Sequence, residues 1–113
     1  MAFFDKVHEP AEVLDLADGR LMLSRATNGD KVAVANVGGD YHAINDRCPH
    51  LGCSLSKARL ERTTLTCHCH GSQYDIRTGE MLRGPTKHGA AAYDVDVADG
   101  TVTIRPKAAS AVA

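Results

Sequence analysis

The stretches CPHLGC (residues 48–53) and CHCHGS (residues 67–72) hold all four cysteines and three of the six histidines of a 113-residue chain. Thiols that only fill a core scatter along a sequence, whereas these are gathered into two hexapeptides. The pairs Cys48-x-His50 and Cys67-x-x-His70 give each hexapeptide one thiolate and one imidazole, with Cys53 and Cys69 in addition. Four separate thiols, two disulfides and a zinc site are the readings open to such a set. Structural zinc takes four ligands, and its knuckles commonly open on two cysteines separated by two to four residues. Six candidate ligands, with a histidine closing each pair, suit that chemistry poorly.

The flanks set the scaffold. Turn signals recur at Asp18-Gly19, Asn28-Gly29-Asp30, Gly38-Gly39-Asp40, Thr78-Gly79, Gly84-Pro85 and Asp99-Gly100, with short apolar runs between them, which predicts a small all-β protein. KVAVANV (31–37) is apolar on both faces, so it is expected to be a strand covered on both sides. Residues 41–45 return from the glycine turn as its partner and hand the chain to Cys48. Tyr93, Val95 and Val97 alternate with Asp94 and Asp96, the pattern of a half-buried strand with the first three side chains inward. Val102 and Ile104 continue that pattern after the turn, predicting a hairpin over residues 92–105. A single helical turn is expected around residues 9–14, opening near Pro10. There is no repeat and no low-complexity tract.

Length and charge narrow the function classes. One modest core fits 113 residues, so residues 1–107 are expected to form one domain and residues 108–113, small and featureless, a frayed tail. The formal net charge is -1 with no run of Lys or Arg, which gives no sign of a nucleic-acid partner or a polybasic membrane surface. Acidic residues and Pro10 interrupt the N-terminus before any apolar stretch reaches the length of a signal peptide or membrane span, so the expectation is a soluble, cytoplasmic chain without membrane insertion. No nucleophile-and-base pattern and no phosphate-binding glycine loop is present, so the expectation is that the chain is not itself an enzyme.

C-x-H, an interval, then C-x-x-H resembles the Rieske iron-sulfur family. The interval here, residues 51–66, is sixteen residues long. The wider text CPHLGC and CHCHGSQYD is similar to the high-potential branch found in quinol-oxidising cytochrome bc complexes, and the likeness extends through Gly84-Pro85. The resemblance implies the Rieske fold, a small antiparallel β-sandwich or barrel with a cluster-binding subdomain of two loops inserted at about residues 46–86. It implies one Rieske-type 2Fe-2S cluster per chain, with Cys48 and Cys67 on the inner iron and His50 and His70 on the outer iron. It also implies a disulfide between Cys53 and Cys69, a loop carrying Gly84 and Pro85 over the cluster, and an apolar contact from Leu51 near its tip. Ser72 and Tyr74 match residues that donate hydroxyl hydrogen bonds to a bridging sulfide and to a cysteine ligand. The plainer readings are that Ser72 caps a turn, that Tyr74 fills the core beside Ile76, and that Leu51 is an ordinary surface residue.

Imidazoles have a reason to be there. Two neutral ligands in place of two thiolates make an oxidised 2Fe-2S site roughly electroneutral, so it accepts an electron more readily. Such centres span about −150 to +300 mV, against about −400 mV for plant-type ferredoxins. The resemblance places this chain toward the upper half of that span. His68 is expected to face solvent, and His8, His42 and His88 to be ordinary surface or strand residues. The function implied is a soluble one-electron carrier, monomeric in isolation, whose donor and acceptor are redox proteins docking at the His50/His70 tip. The alternatives are an electron-transfer subunit of a larger oxidoreductase (a bc-type complex, a molybdenum enzyme or a ring-hydroxylating oxygenase system) and, more remotely, a structural zinc module. Disulfides are uncommon in the cytosol, which counts toward the subunit reading.

Overall fold

Strand β2 (Lys31–Val37) buries Val32 and Val34 in one core and Ala33 and Ala35 in another. The computed structural model describes residues 16–49, 52–69, 71–84, 89–98 and 101–107. Among these, β1 (Leu21–Arg25), β2 and β3 (Asp40–Asn45) form a meander, and β8 (Ala92–Ala98) and β9 (Thr101–Pro106) form a hairpin. Together they make one antiparallel sheet in the order β1-β2-β3-β8-β9. The sheet rolls back on itself: the Thr27 amide in the β1–β2 turn donates to the Ile104 carbonyl of β9 at 2.8 Å. Val102 and Ile104 thereby join Val32, Val34, Ala43 and Tyr93 in the core inside the roll.

Between β3 and β8 the chain builds a second antiparallel sheet. It comprises β4 (Arg59–Glu61), β5 (Thr64–Thr66), β6 (Gln73–Asp75) and β7 (Met81–Arg83), in chain order. Leu65 and Tyr74 from this smaller sheet, with Ile76 just after β6, pack against Ala33, Ala35 and Ile44 of the larger one, and Leu55 from a 3-10 turn (Leu55–Lys57) joins the same cluster. Alanines on that face of β2 keep it low, which leaves room for the aromatic ring and branched chains opposite. The all-β expectation holds, and among the described residues no helix is long and apolar enough to cross a membrane.

Strand β2 is covered on both faces, β3 is its partner, and the β8–β9 hairpin forms, all as read from the sequence. Val97 is a correction: it is 54% exposed rather than inward. β8 pairs with β3 only at Ala92 and Tyr93; beyond them the two strands separate, and Val95 and Val97 line an open pocket with Tyr41 and His42. Val95 is half-buried for the same reason. The helical turn expected at residues 9–14, His8 and the tail at residues 108–113 lie outside the described residues.

Candidate metal centre

Each cysteine-rich hexapeptide closes as a loop with the same hydrogen bonds. In the first, the Cys48 amide donates to the Cys53 carbonyl at 2.8 Å and the Gly52 amide donates to the Cys48 carbonyl at 2.8 Å. In the second, the Cys67 amide donates to the Ser72 carbonyl at 2.8 Å and the Gly71 amide donates to the Cys67 carbonyl at 3.0 Å. Both glycines sit four residues after the leading cysteine and both adopt left-handed φ, +77° and +78°, a conformation that a side chain would disfavour. The repetition in structure explains the repetition in sequence: a cysteine opens each loop and a glycine turns it.

Different elements hold the two loops. β5 and β6 flank the second loop as a short antiparallel pair. The first leaves β3 and is pinned by Asp46, whose buried carboxylate accepts from Ser54 Oγ and from the Ser56 amide, each at 2.7 Å. The Leu55 amide donates to the Asp46 carbonyl and the Asp46 amide donates to the Lys31 carbonyl, so the loop's base is tied to β2 and to the 3-10 turn. Sequence reasoning passed over Asp46. The signal available was a D-x7-S-x-S pattern straddling the first hexapeptide, in which a carboxylate can satisfy backbone donors on the chain's return.

A disulfide joins Cys53 to Cys69, with Cα atoms 6.6 Å apart, and so links one loop to the other. Cys48 and Cys67 stay outside it and are buried, at 1% and 2% exposure. Their partners in the sequence reading, His50 and His70, and likewise Leu51, Pro85 and His88, lie outside the described residues. His68 is exposed, as expected, with Nε2 3.8 Å from Cys69 Sγ. Cys53, His68 and Cys69 lie close together, but sulfurs joined as a disulfide offer no thiolate to a metal. His42 is half-buried on β3 opposite Ala35.

Among the described residues, Tyr74 and Ser72 bring polar groups to the neighbourhood of Cys48 and Cys67. Tyr74, fully buried on β6, places its hydroxyl 3.4 Å from Cys48 Sγ. Burial, and next the adjoining Cys48 side chain, push the phenol's pKa above its ordinary value, so Tyr74 stays protonated and able to donate. Ser72 Oγ is buried and has no hydrogen-bond partner among the described residues. Gly84 closes over it: a Cβ at that glycine would stand 2.6 Å from both Ser72 Cα and Ser72 Oγ, and its φ is +131°.

These observations fit a 2Fe-2S group. Two buried cysteines open twin loops, a protonated phenol sits beside one of them, and a buried serine hydroxyl awaits an acceptor, a condition that costs about 1–3 kcal/mol if left unmet. Such a cluster, when bound, takes up and releases one electron at a time.

Comparison with known proteins agrees. Residues 6–99 match the Rieske [2Fe-2S] domain family. The chain is 34% identical over 93 residues to the 3-phenylpropionate/cinnamic acid dioxygenase ferredoxin subunit of Escherichia coli (strain K12), covering 81% of this chain and 86% of that one. Among solved structures it is similar to the ferredoxin of carbazole 1,9a-dioxygenase from Nocardioides aromaticivorans IC177, with a TM-score of 0.77 and 27% identity over 82% of this chain and 90% of that one. Sphingomonas yanoikuyae B1 ferredoxin gives a TM-score of 0.75 and 27% identity over 84% and 93% of the two chains. The chain therefore belongs to the Rieske [2Fe-2S] family, as a ferredoxin-type electron-transfer protein carrying one 2Fe-2S cluster.

Proposed function

We propose that this protein carries single electrons from a reductase to the oxygenase component of a ring-hydroxylating dioxygenase. The relatives named as dioxygenase ferredoxin subunits support that placement, as does the likeness, at 25% identity and a TM-score of 0.77, to a chain from the complex of reduced oxygenase and oxidized ferredoxin in carbazole 1,9a-dioxygenase. The observation that carries the reading is the twin-loop geometry, in which Cys48 and Cys67 occupy equivalent buried positions beneath a shared disulfide.

In this reading Cys48 and Cys67 hold the inner iron, and His50 and His70 hold the outer one. Ser72 and Tyr74 donate to sulfur, and Gly84 and Pro85 shield the site. The two imidazoles form the tip at which redox partners dock. Residues 1–107 act as one domain, monomeric between encounters and working in the cytoplasm. The Cys53–Cys69 bridge and the two hydroxyl donors support a potential toward the upper half of the range for Rieske centres, about −150 to +300 mV. The test is reconstitution with NADH, a flavin ferredoxin reductase and a terminal dioxygenase. Aromatic dihydrodiol should form only when this protein is present, and His70→Ser should abolish it. Product formation that is indifferent to the carrier would remove the proposal.

A further inference from the structure

The cluster-binding segment of the chain is charged differently from the rest. Residues 46–86 carry six Lys and Arg against four Asp and Glu, whereas the remainder carries seven against ten. Of those four carboxylates, Asp46 is occupied inside the first loop, Asp75 is paired with Arg77 and Glu61 with Arg59.

Beside the first loop lies an open groove of about 730 Å³, and Lys31, Arg47 and Lys57 converge on it. All three are exposed, and among the described residues none is ion-paired. The groove's two carboxylates face other work: Asp46 as above, and Asp30 accepting from the Tyr93 hydroxyl at 2.8 Å and from Asn28 Nδ2 at 2.9 Å. Leu23, 47% exposed, adds an apolar edge. Three cations against two carboxylates that are engaged by neutral donors leave the groove net positive, and with an apolar side chain beside them they form a surface complementary to an acidic protein segment. The cations repel one another across the groove, and a bound carboxylate-rich segment relieves that repulsion. Arg47 directly precedes Cys48, so a segment held here lies alongside the redox loop and not on the far side of the scaffold.

We propose that this groove is a docking site for an acidic segment of a redox-protein partner, gripped by Lys31, Arg47 and Lys57 and guided to the first loop. The proposal rests on the electron-carrier reading and adds to it the charge of the partner's contacting face.

The test uses the oxidised holoprotein, labelled with ¹⁵N and titrated at low ionic strength with hexaglutamate, with hexalysine and sodium sulfate as controls. Hexaglutamate should shift the amides of Leu23, Lys31 and Lys57 saturably. The Lys31→Glu/Lys57→Glu variant should bind at least tenfold more weakly with an unchanged visible spectrum, and Lys57→Gln should fall between. Shifts scattered elsewhere, equal shifts with hexalysine, the same shifts with sulfate at matched ionic strength, or undiminished binding to the double variant would each overturn the proposal. A protein that holds its cluster and exchanges electrons yet ignores hexaglutamate loses only the groove, whereas one that holds no cluster loses the electron-carrier reading itself.

Discussion

The Tyr74 hydroxyl meets Cys48 Sγ at 3.4 Å, joining β6 to the opening residue of the first loop across 26 positions of chain. A hydroxyl that donates to a cysteine sulfur stabilises the added negative charge of a reduced cluster more than the oxidised state. Tyr74→Phe is therefore expected to keep the cluster and lower its potential. A differential of about 1–2 kcal/mol corresponds to about 40–90 mV for one electron. Protein-film voltammetry measures this, and an unmoved potential would leave Tyr74 as core packing alone.

Gly84 approaches Ser72 so closely that no side chain fits between them. Gly84→Ala combines that clash with a φ that L-residues rarely adopt, and strain of this kind costs about 1–3 kcal/mol. The expected result is a melting temperature several degrees lower and faster bleaching of the cluster. Wild-type behaviour in both would show that the loop simply shifts outward.

The bridge between Cys53 and Cys69 closes two loops separated by 16 positions. Cys53→Ser is expected to cost about 2–4 kcal/mol of stability, since a cross-link over such a span restricts the unfolded chain. Cys48 and Cys67 are untouched by the change, so the freshly reconstituted variant should show the wild-type spectrum and then lose it sooner. Equal denaturation midpoints would count against a stabilising role for the bridge.

Much of this was legible in the residues because the site is a local pattern. Cysteines and glycines at fixed offsets specify loop closure, and the closure depends little on the rest of the fold. β2 was legible because a run apolar on both faces reports cover on both sides, and the β8–β9 hairpin because alternation over six or seven residues marks one face. Strands β4 to β7 were mostly not, since three residues are too few to display a period: Tyr74 could be read in the core beside Ile76, but Leu65 reads as an isolated apolar residue until the sheet exists. Val97 failed because alternation marks a face but not how far the covering strand extends. Asp46 was hidden because its partners lie on the returning chain, where Ser54 and Ser56 beyond the first hexapeptide are the faint mark of its role.

Asp75 anchors the turn after β6 through two side-chain bonds from Arg77, at 2.9 and 3.0 Å, and one from the Arg77 amide. The Arg77 side chain, opposed by burial but aided by its backbone bond, holds the Asp75 carboxyl below the ordinary carboxylate value. A lowered folded-state value stabilises the fold at pH above the unfolded value of about 3.9, and that contribution is lost as pH falls through the folded value. Arg77→Met should melt below wild type at neutral pH, and the gap should narrow once pH falls below about 4. A gap that stays constant down to about pH 2 would assign the loss to packing and not to the charge on Asp75.

The central claim is that Cys48, Cys67, His50 and His70 share one 2Fe-2S cluster, and electron paramagnetic resonance of the reduced, iron- and sulfide-reconstituted protein tests it most directly. The expected spectrum has a lower average g than an all-cysteine 2Fe-2S ferredoxin and vanishes in both His50→Ser and His70→Ser. An all-cysteine-type spectrum, or a Rieske signal that survives either substitution, would contradict it.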